Sequence, residues 1–349
     1  MDKLGRGAVW SGEFDPCVHQ NHVFVVRCSN QIDPHYLNFW SAGAIARCFF
    51  LLTGKQTTNL ASISKSGLSL LPVAIPPKRE QRAVTNALLE TDALIESLEK
   101  LITKKQAIKT ATMQQLLTGK TRLPQFAKHP DGTPKGTKPS ELGENPEDWE
   151  VLPLSMLASI RSGGTPSTSV SEFWNGEVNW CTPTDITSLN GRKYLTTTAR
   201  TITGLGLKSS AAELLPGGSI VMTSRATIGE CAIAQSPMST NQGFKNFIPN
   251  TETDLEFLYY LLSSQKLGFI GLCSGSTFLE ISTKQVRNYE VSVPKFPEQA
   301  AIAKVLSDQD EEIHRLQRRL AKTRQIKQGM MQQLLTGKIR LLQPEALPV

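Results

Sequence analysis

The chain has 349 residues, an apolar fraction of 39% and no apolar run long enough to span a bilayer, which excludes a helical membrane protein. A net charge of +7 favours a polyanionic partner. Six dispersed cysteines with no CxxC pair exclude a disulfide-built fold and read as reduced, mostly buried thiols of a cytoplasmic protein, whose start, MDKLGRGAVW, is neither a signal nor a transit peptide.

Residues 1–76 read as short strand-like runs with one helical stretch at Pro34 to Phe50. Within them Cys17-x-His19-x-x-His22-x5-Cys28 has ligand types for zinc, but it lies across two strand-like runs, so buried or turn residues are the better reading and no metal is expected. At Pro76-Pro77 the pattern changes. Val84, Leu88, Thr91, Ile95, Leu98, Ile102, Lys105 and Lys109 alternate steps of four and three, a heptad seam that predicts a helix over 77–120, closed by Gly119 as a C-terminal cap. Residues 121–147 include a Pro/Gly/Lys linker, His129 to Pro139, without apolar periodicity. A second globular segment fills 148–295, with apolar runs at Ser219 to Met222 and Cys231 to Ala234, turns at Ser162-Gly163-Gly164 and Pro216-Gly217-Gly218, and a small helix at Asp254 to Ser264. A second seam, Ile302, Leu306, Gln309, Ile313, Leu316, Leu320, Thr323 and Lys327, predicts a helix over 296–338, and 339–349 remain as a tail.

The octapeptide MQQLLTGK occurs at Met113 and again at Met331, an offset of 218 residues. The same offset pairs Leu88 with Leu306, Asp92 with Asp310, Glu80-Gln81 with Glu298-Gln299, and Ile63-Ser64 with Ile281-Ser282. Solenoid repeats have periods of roughly 20 to 50 residues, so this is a tandem of two domains. Each helix would be roughly 55 Å long at 1.5 Å per residue and is polar outside its seam. The economical partner for each is the other copy, placed antiparallel by a pseudo-two-fold repeat; Thr91, Gln309 and the late lysines weaken the seam or set its register.

Enzyme readings fail on residues. Thr118-Gly119-Lys120-Thr121 looks like the tail of a phosphate-binding loop, yet no glycine stands where the loop needs one and a helix end precedes it instead of a strand. Asn145-Pro146-Glu147 lacks the rest of an amino-methyltransferase motif, and Gly204-Leu205-Gly206 has no third glycine.

Together these features resemble the specificity subunit of type I restriction-modification enzymes. The resemblance is carried by P-x-x-x-E-Q, the heptads and Met-Gln-Gln-Leu-Leu-Thr-Gly-Lys of each half, and by Pro146 to Val151, Ser162-Gly163-Gly164-Thr165-Pro166, Ser224 to Gly229 and Asn241-Gln242-Gly243. It implies an α+β fold in which two target recognition domains are separated by two long antiparallel coiled-coil helices. It also implies a non-catalytic subunit without cofactor, in which each recognition domain reads half of a split site on double-stranded DNA. Methyltransferase subunits, two by pseudo-symmetry, would flank the helices; restriction subunits would join through the complex, and no membrane is involved. One departure stands out. Gly5-Arg6-Gly7 aligns with Ser224-Arg225-Ala226 and Asn21-His22 with Asn241-Gln242, so residues 1–76 correspond only to the carboxy-terminal part of a recognition domain.

A DNA reader needs Lys or Arg for phosphates, and Arg, Asn, Gln, Ser or Thr for base edges. The candidates in the second domain are Arg161, Ser162, Thr165, Arg192, Lys193, Lys208, Ser224, Arg225, Asn241, Gln242, Lys245, Ser276 and Thr277, with Arg6 in the first. Arg225 leads, on a Ser-Arg-Ala turn between strand-like runs, because arginine can contact guanine through two hydrogen bonds. The Gly163-Gly164-Thr165-Pro166 run reads more readily as a tight turn. Two alternatives stay open: a half-specificity protein that dimerises to read a symmetric site, and a coiled-coil adaptor that binds no DNA.

Overall fold

A computed structural model describes residues 4–13, 15–56, 61–273 and 279–342. The chain divides into two compact units, one made of Met1–Lys104 with Ile313–Val349 and the other of Lys105–Glu312. Helices and sheet strands occur side by side, an α+β composition.

In the first unit, Asp33 caps helix α1 (Pro34–Ala42) by accepting from the backbone N–H groups of His35 and Tyr36. Gly43 breaks the expected Pro34 to Phe50 stretch, and α2 (Ala44–Thr53) follows. A β1 (Lys55–Gln56) and β2 (Ala61–Ser62) pair and α3 (Lys65–Ser69) lead to the long helix α4 (Lys78–Leu116). Tyr36, Phe39, Trp40, Ala46 and Phe50 form a core with Val84 and Leu88 of α4 and with Leu334 and Leu335. Asp92 pairs with Lys327 at 2.5 Å and Glu99 with Arg324 at 2.6 Å, while the Thr91 hydroxyl meets the Met330 sulfur at 3.7 Å. Rising numbers on one helix against falling numbers on the other make this pair antiparallel.

The described residues between 6 and 30 contain no strand, and Val18, Val23, Val25 and Val26 are exposed. The expected strand-like, buried or turn character of Cys17 to Cys28 is therefore corrected: Cys17, His19 and His22 face outward, and only Asn21 and His22 make a turn. The physical reason is the absence of neighbours. The corresponding residues of the second unit pair with strands on both sides, whereas among the described residues nothing pairs with this run. Nor are the thiols mostly buried, since only Cys181 and Cys231 are.

The second unit opens with the carboxy-terminal turns of α4. The linker read at His129 to Pro139 is folded instead: the Asp131 carboxylate closes a turn by accepting from the Thr133 N–H, and β3 (Thr137–Ser140) pairs with β4 (Gly143–Pro146). Strand β5 (Glu150–Pro153), helix α5 (Leu154–Leu157) and β6 (Ala158–Ser162) follow, then β7 (Trp174–Cys181), α6 (Pro183–Ser188), β8 (Tyr194–Leu195), β9 (Arg200–Ile202) and α7 (Gly204–Lys208). The apolar runs become β10 (Ile220–Thr223) and β11 (Cys231–Ala234), followed by β12 (Met238–Thr240) and β13 (Phe244–Pro249). The unit closes with α8 (Leu255–Ser264), α9 (Lys266–Gly271), α10 (Thr283–Arg287), β14 (Glu290–Val293) and the start of α11 (Phe296–Leu334).

Five strands form one sheet in the order β6-β13-β10-β11-β8, and three form another as β12-β7-β9. Both faces of β10 and β11 are buried, which is why their sequences are continuous apolar runs and do not alternate. Phe257, Leu258, Leu261 and Leu262 of α8 share the main core with Ile220, Met222, Ile233 and Phe247, and with Ile302 and Leu306 of α11. Here too the long helices run antiparallel: Lys105 pairs with Glu312 at 2.7 Å, Lys109 with Asp310 at 2.5 Å, and Gln309 donates to the Thr112 hydroxyl.

Along both seams no position is exposed. Val84, Leu88, Leu98, Ile102, Ile302, Leu306, Ile313 and Thr323 are buried, and Ile95, Leu316, Leu320, Lys105, Lys109, Lys327, Thr91 and Gln309 are half-buried. Both helices have 39 residues and the same bounds at the offset of 218. They end alike: Gly119 (φ +68°) and Gly337 (φ +71°) take the left-handed conformation, and Thr121 and Ile339 donate back to the Gln115 and Gln333 carbonyls.

Candidate nucleic-acid interface

The topology of the five-stranded sheet gathers most of the candidate residues. Strand β13 lies between β6 and β10 and runs antiparallel to both, so its start meets their ends. Lys245 stands opposite Ser162 on one side and Met222 on the other, and Asn246 opposite Arg161. One sheet edge therefore carries Arg161 and Ser162 from β6, Ser224 and Arg225 just after β10, and Asn241, Gln242 and Lys245 around the start of β13.

Each side chain there is held by the local backbone. The Ser224 N–H donates to the Gly243 carbonyl at 2.7 Å, fixing the turn after β10, and Ala226 takes φ +56° within it. The Asn241 side chain accepts from the Gly243 N–H at 2.9 Å. The Thr165 hydroxyl donates to the Gln242 side chain, and Ser162 and Thr283 share a hydroxyl contact at 3.0 Å. Gly163 and Gly164 pass so close to the backbones of Asn241 and Ala211 that neither tolerates a Cβ. The run is not the tight turn expected: no turn forms at 163–167, because the Gly164 N–H is taken by the distant Thr240 carbonyl at 2.9 Å, and the run brings Thr165 to Gln242.

Arg225 is half-exposed and pairs with Glu280 at 2.9 Å. Lys245 is buried beside this pair: desolvation pushes its amine below the usual lysine range, Glu280 works against that, and Arg225 adds to it. Arg161 lies 3.9 Å from Glu213 with both groups exposed. Three acidic or hydroxyl partners, Glu213, Glu280 and Thr283, went unnoticed in the sequence. They are distant from Arg161, Arg225 and Ser162 along the chain, and no local pattern marks them.

Other candidates lie elsewhere. Lys193 points inward, paired with Glu256 at 2.9 Å and bonded to Tyr260 and Ser307, so it is a buried structural cation and not a phosphate ligand. Arg192 precedes β8 at the far side of the sheet, donating to the Leu189 carbonyl. Lys208 is exposed at the end of α7, Arg6 is exposed in the first unit, and Ser276 and Thr277 lie outside the described residues.

A second cluster fastens the Gly163 to Ser167 run. Trp180 donates to the Gly164 carbonyl at 3.0 Å and Trp174 to that of Ser167 at 3.1 Å. Arg200 stacks on Trp174 with its guanidinium carbon 3.9 Å from the ring centroid. Among the described residues no group of His, Cys, Asp and Glu is arranged to hold a metal ion, and no helix is long and apolar enough to cross a membrane.

Guanidinium, amide and hydroxyl groups thus stand together at one end of a mixed sheet. The family model for the type I restriction modification DNA specificity domain matches residues 146–322, half of the chain. The chain belongs to that family, whose members are the non-catalytic specificity subunits of type I restriction-modification systems. It is 37% identical over 172 residues to the MjaIX specificity subunit of Methanocaldococcus jannaschii, spanning 49% of this chain and 40% of that protein. With the MjaVIII specificity subunit of the same organism it shares 28% over 306 residues, 84% of this chain and 68% of the relative. The fold is that of a solved type I S subunit from M. genitalium, with a TM-score of 0.52 at 16% identity over 87% of this chain and 73% of the other.

Proposed function

We propose that this chain reads double-stranded DNA as the specificity subunit of a type I restriction-modification complex. The observation that carries the reading is the single sheet edge on which Arg161, Ser162, Ser224, Arg225, Asn241 and Gln242 meet. Arginine and the two amides can take base edges, while a sheet edge with protruding turns has the reach to enter a groove. Arg161 and Lys208 serve as phosphate contacts. The two long helices act as a spacer that sets the distance between two half-sites, and their outer faces receive two methyltransferase subunits, through which restriction subunits join.

The test is co-purification with the methyltransferase subunit of its own system, binding to a randomised duplex pool at fixed moderate salt, and sequencing of the bound fraction. Enrichment of a split motif is the expected result. A pool that stays random although the complex has formed refutes DNA reading and leaves the adaptor alternative. One observation favours a narrower version: among the described residues Val23 to Arg27 have no strand partner where their counterparts in the second unit form a central strand, so the described first unit does not present the equivalent edge. In that version one half-site, or a palindrome of it, is enriched.

A further inference from the structure

Arg161, Arg200 and Arg225 stand at one end of the second unit and differ in what holds them. Arg161 lies near Glu213 and Arg225 pairs with Glu280, so each is drawn to a carboxylate. Arg200 is exposed, and among the described residues its side chain has neither an acidic partner nor a hydrogen-bond acceptor. Two rings hold it instead. Its guanidinium carbon lies 3.9 Å from the Trp174 ring centroid and 5.3 Å from that of Trp180, and the two indoles meet edge to face with centroids 5.0 Å apart.

Strand order carries this residue to the candidate edge. Strand β9 runs antiparallel to β7, which sets Arg200 opposite Trp180, one residue short of the Cys181 end of β7. On the other side of β7, β12 runs parallel with Ser239 opposite Trp180, so Arg200 and Ser239 are two strand spacings apart, roughly 10 Å. Asn241 follows directly, its N–H donating to the Cys181 carbonyl at 3.0 Å. The two indoles donate to the Gly164 and Ser167 carbonyls, and the run between them brings Thr165 to Gln242. Arg200 therefore shares the end of the unit that carries Asn241 and Gln242, although it belongs to the other sheet.

An arginine laid over an indole keeps all its in-plane donors for another partner, and the ring restricts its rotamers before that partner arrives. Neutralising a phosphate needs only a point charge, which a mobile lysine supplies. A fixed planar fork suits a pair of acceptors in one plane, and in a duplex O6 and N7 of guanine are such a pair. We infer that Arg200 is a further base-reading residue, presenting its fork to a guanine in the major groove, with Trp174 and Trp180 as positioning residues. Arg200 has this role only if the chain reads DNA as proposed above.

The test uses the full chain co-purified with the methyltransferase subunit of its own system, as wild type, Arg200→Lys and Arg200→Ala. Each is selected on the same randomised duplex pool at fixed moderate salt, then titrated with the duplex that the wild type selects over a range of salt. Lysine keeps the charge and loses the fork and the stack. Because Arg200 is exposed, both variants should fold, which their Tm verifies. Both should lose the preference for guanine at the same base pair, keep the rest of the motif, and bind the wild-type duplex about tenfold or more weakly. A motif and an affinity unchanged in both variants overturn the inference. So does a lysine variant that keeps the whole motif while the alanine variant alone loses about 0.9 of the salt slope, since Arg200 is then a phosphate contact. A wild-type pool that stays random defeats DNA reading itself and the role of Arg200 with it, whereas a wild-type motif indifferent to both variants defeats the role of Arg200 alone.

Discussion

Arg225 leaves its turn already engaged with Glu280, so any base it reads must draw it away from a carboxylate 2.9 Å off. Both groups are half-exposed and the pair is worth little by itself, which makes the exchange for a guanine edge feasible. Arg225→Ala is expected to weaken binding to the selected duplex by about 1 to 3 kcal/mol and to relax preference at one base position, read by repeating the selection with the variant. Gly163→Ala should act through the fold: the new methyl meets the Asn241 and Thr240 backbone, a cost of about 1 to 3 kcal/mol visible as a lowered Tm. The placement of Arg225 was legible because Ser-Arg-Ala falls between two apolar runs that become β10 and β11. Lys193 misled, since Gly191-Arg192-Lys193 looks like an exposed basic turn while Glu256, Tyr260 and Ser307, which bury the lysine, come from two distant helices.

The long helices offer a matched pair of experiments. Arg122 and Arg340 make the same bonds to Glu298 and Glu80, but the first is buried beneath Trp149 and the second is not. Arg122→Ala leaves the buried Glu298 carboxylate without its guanidinium, while Asp148 keeps Lys135, and should cost about 3 to 5 kcal/mol. Arg340→Ala also leaves a buried carboxylate, Glu80, without its guanidinium, but Arg340 itself is half-exposed and replaceable by water, so the loss should be smaller. Urea unfolding of the two variants measures the difference. The same joint gives the second unit an acid sensitivity. Burial works to raise the Asp148 carboxyl, but hydrogen bonds from Arg122 and Lys135 outweigh it and hold the group well below its ordinary 3.8. A depressed carboxylate contributes stability that is complete above the unfolded value and is lost as pH falls below it. Stability of the native chain should therefore decline below about pH 4 more steeply than that of Asp148→Asn, which is followed by acid titration of the near-ultraviolet signal. Seam spacing was legible because heptads report on a single helix, whereas the hairpin at 137–146 was not: its order comes from packing on residues far away, and Pro, Gly and Lys are what loops also use.

For the whole molecule, a net charge of +7 and arginines at the sheet edge make salt the first variable to control. Binding should weaken linearly in log affinity against log salt, with a slope of about −0.9 for each phosphate contacted, and Arg161→Ala should reduce that slope by about one. If the helices set the half-site spacing, one heptad inserted into each lengthens the spacer by about 10 Å and should widen the unread gap by about three base pairs without altering the half-sites. A selection that returns the original gap would refute the ruler. The α+β class and the family were legible from the repeat and its motifs. The bare run at Val23 to Arg27 was not, because apolar alternation reports a strand's preference and says nothing about whether its neighbours are present.

The ion pairs between the helices are written twice in mirrored form. Lys109 with Asp310 in one unit is Lys327 with Asp92 in the other, and Lys109 on the Tyr260 ring is matched by Lys327 on Phe39. Each helix therefore carries both halves of the lock, acid near its start and base near its end. In a symmetric pair of identical copies a charge reversal at either position would break two joints with one mutation, and only a compensating change at the other could mend both, whereas in this single chain each joint can be altered by itself.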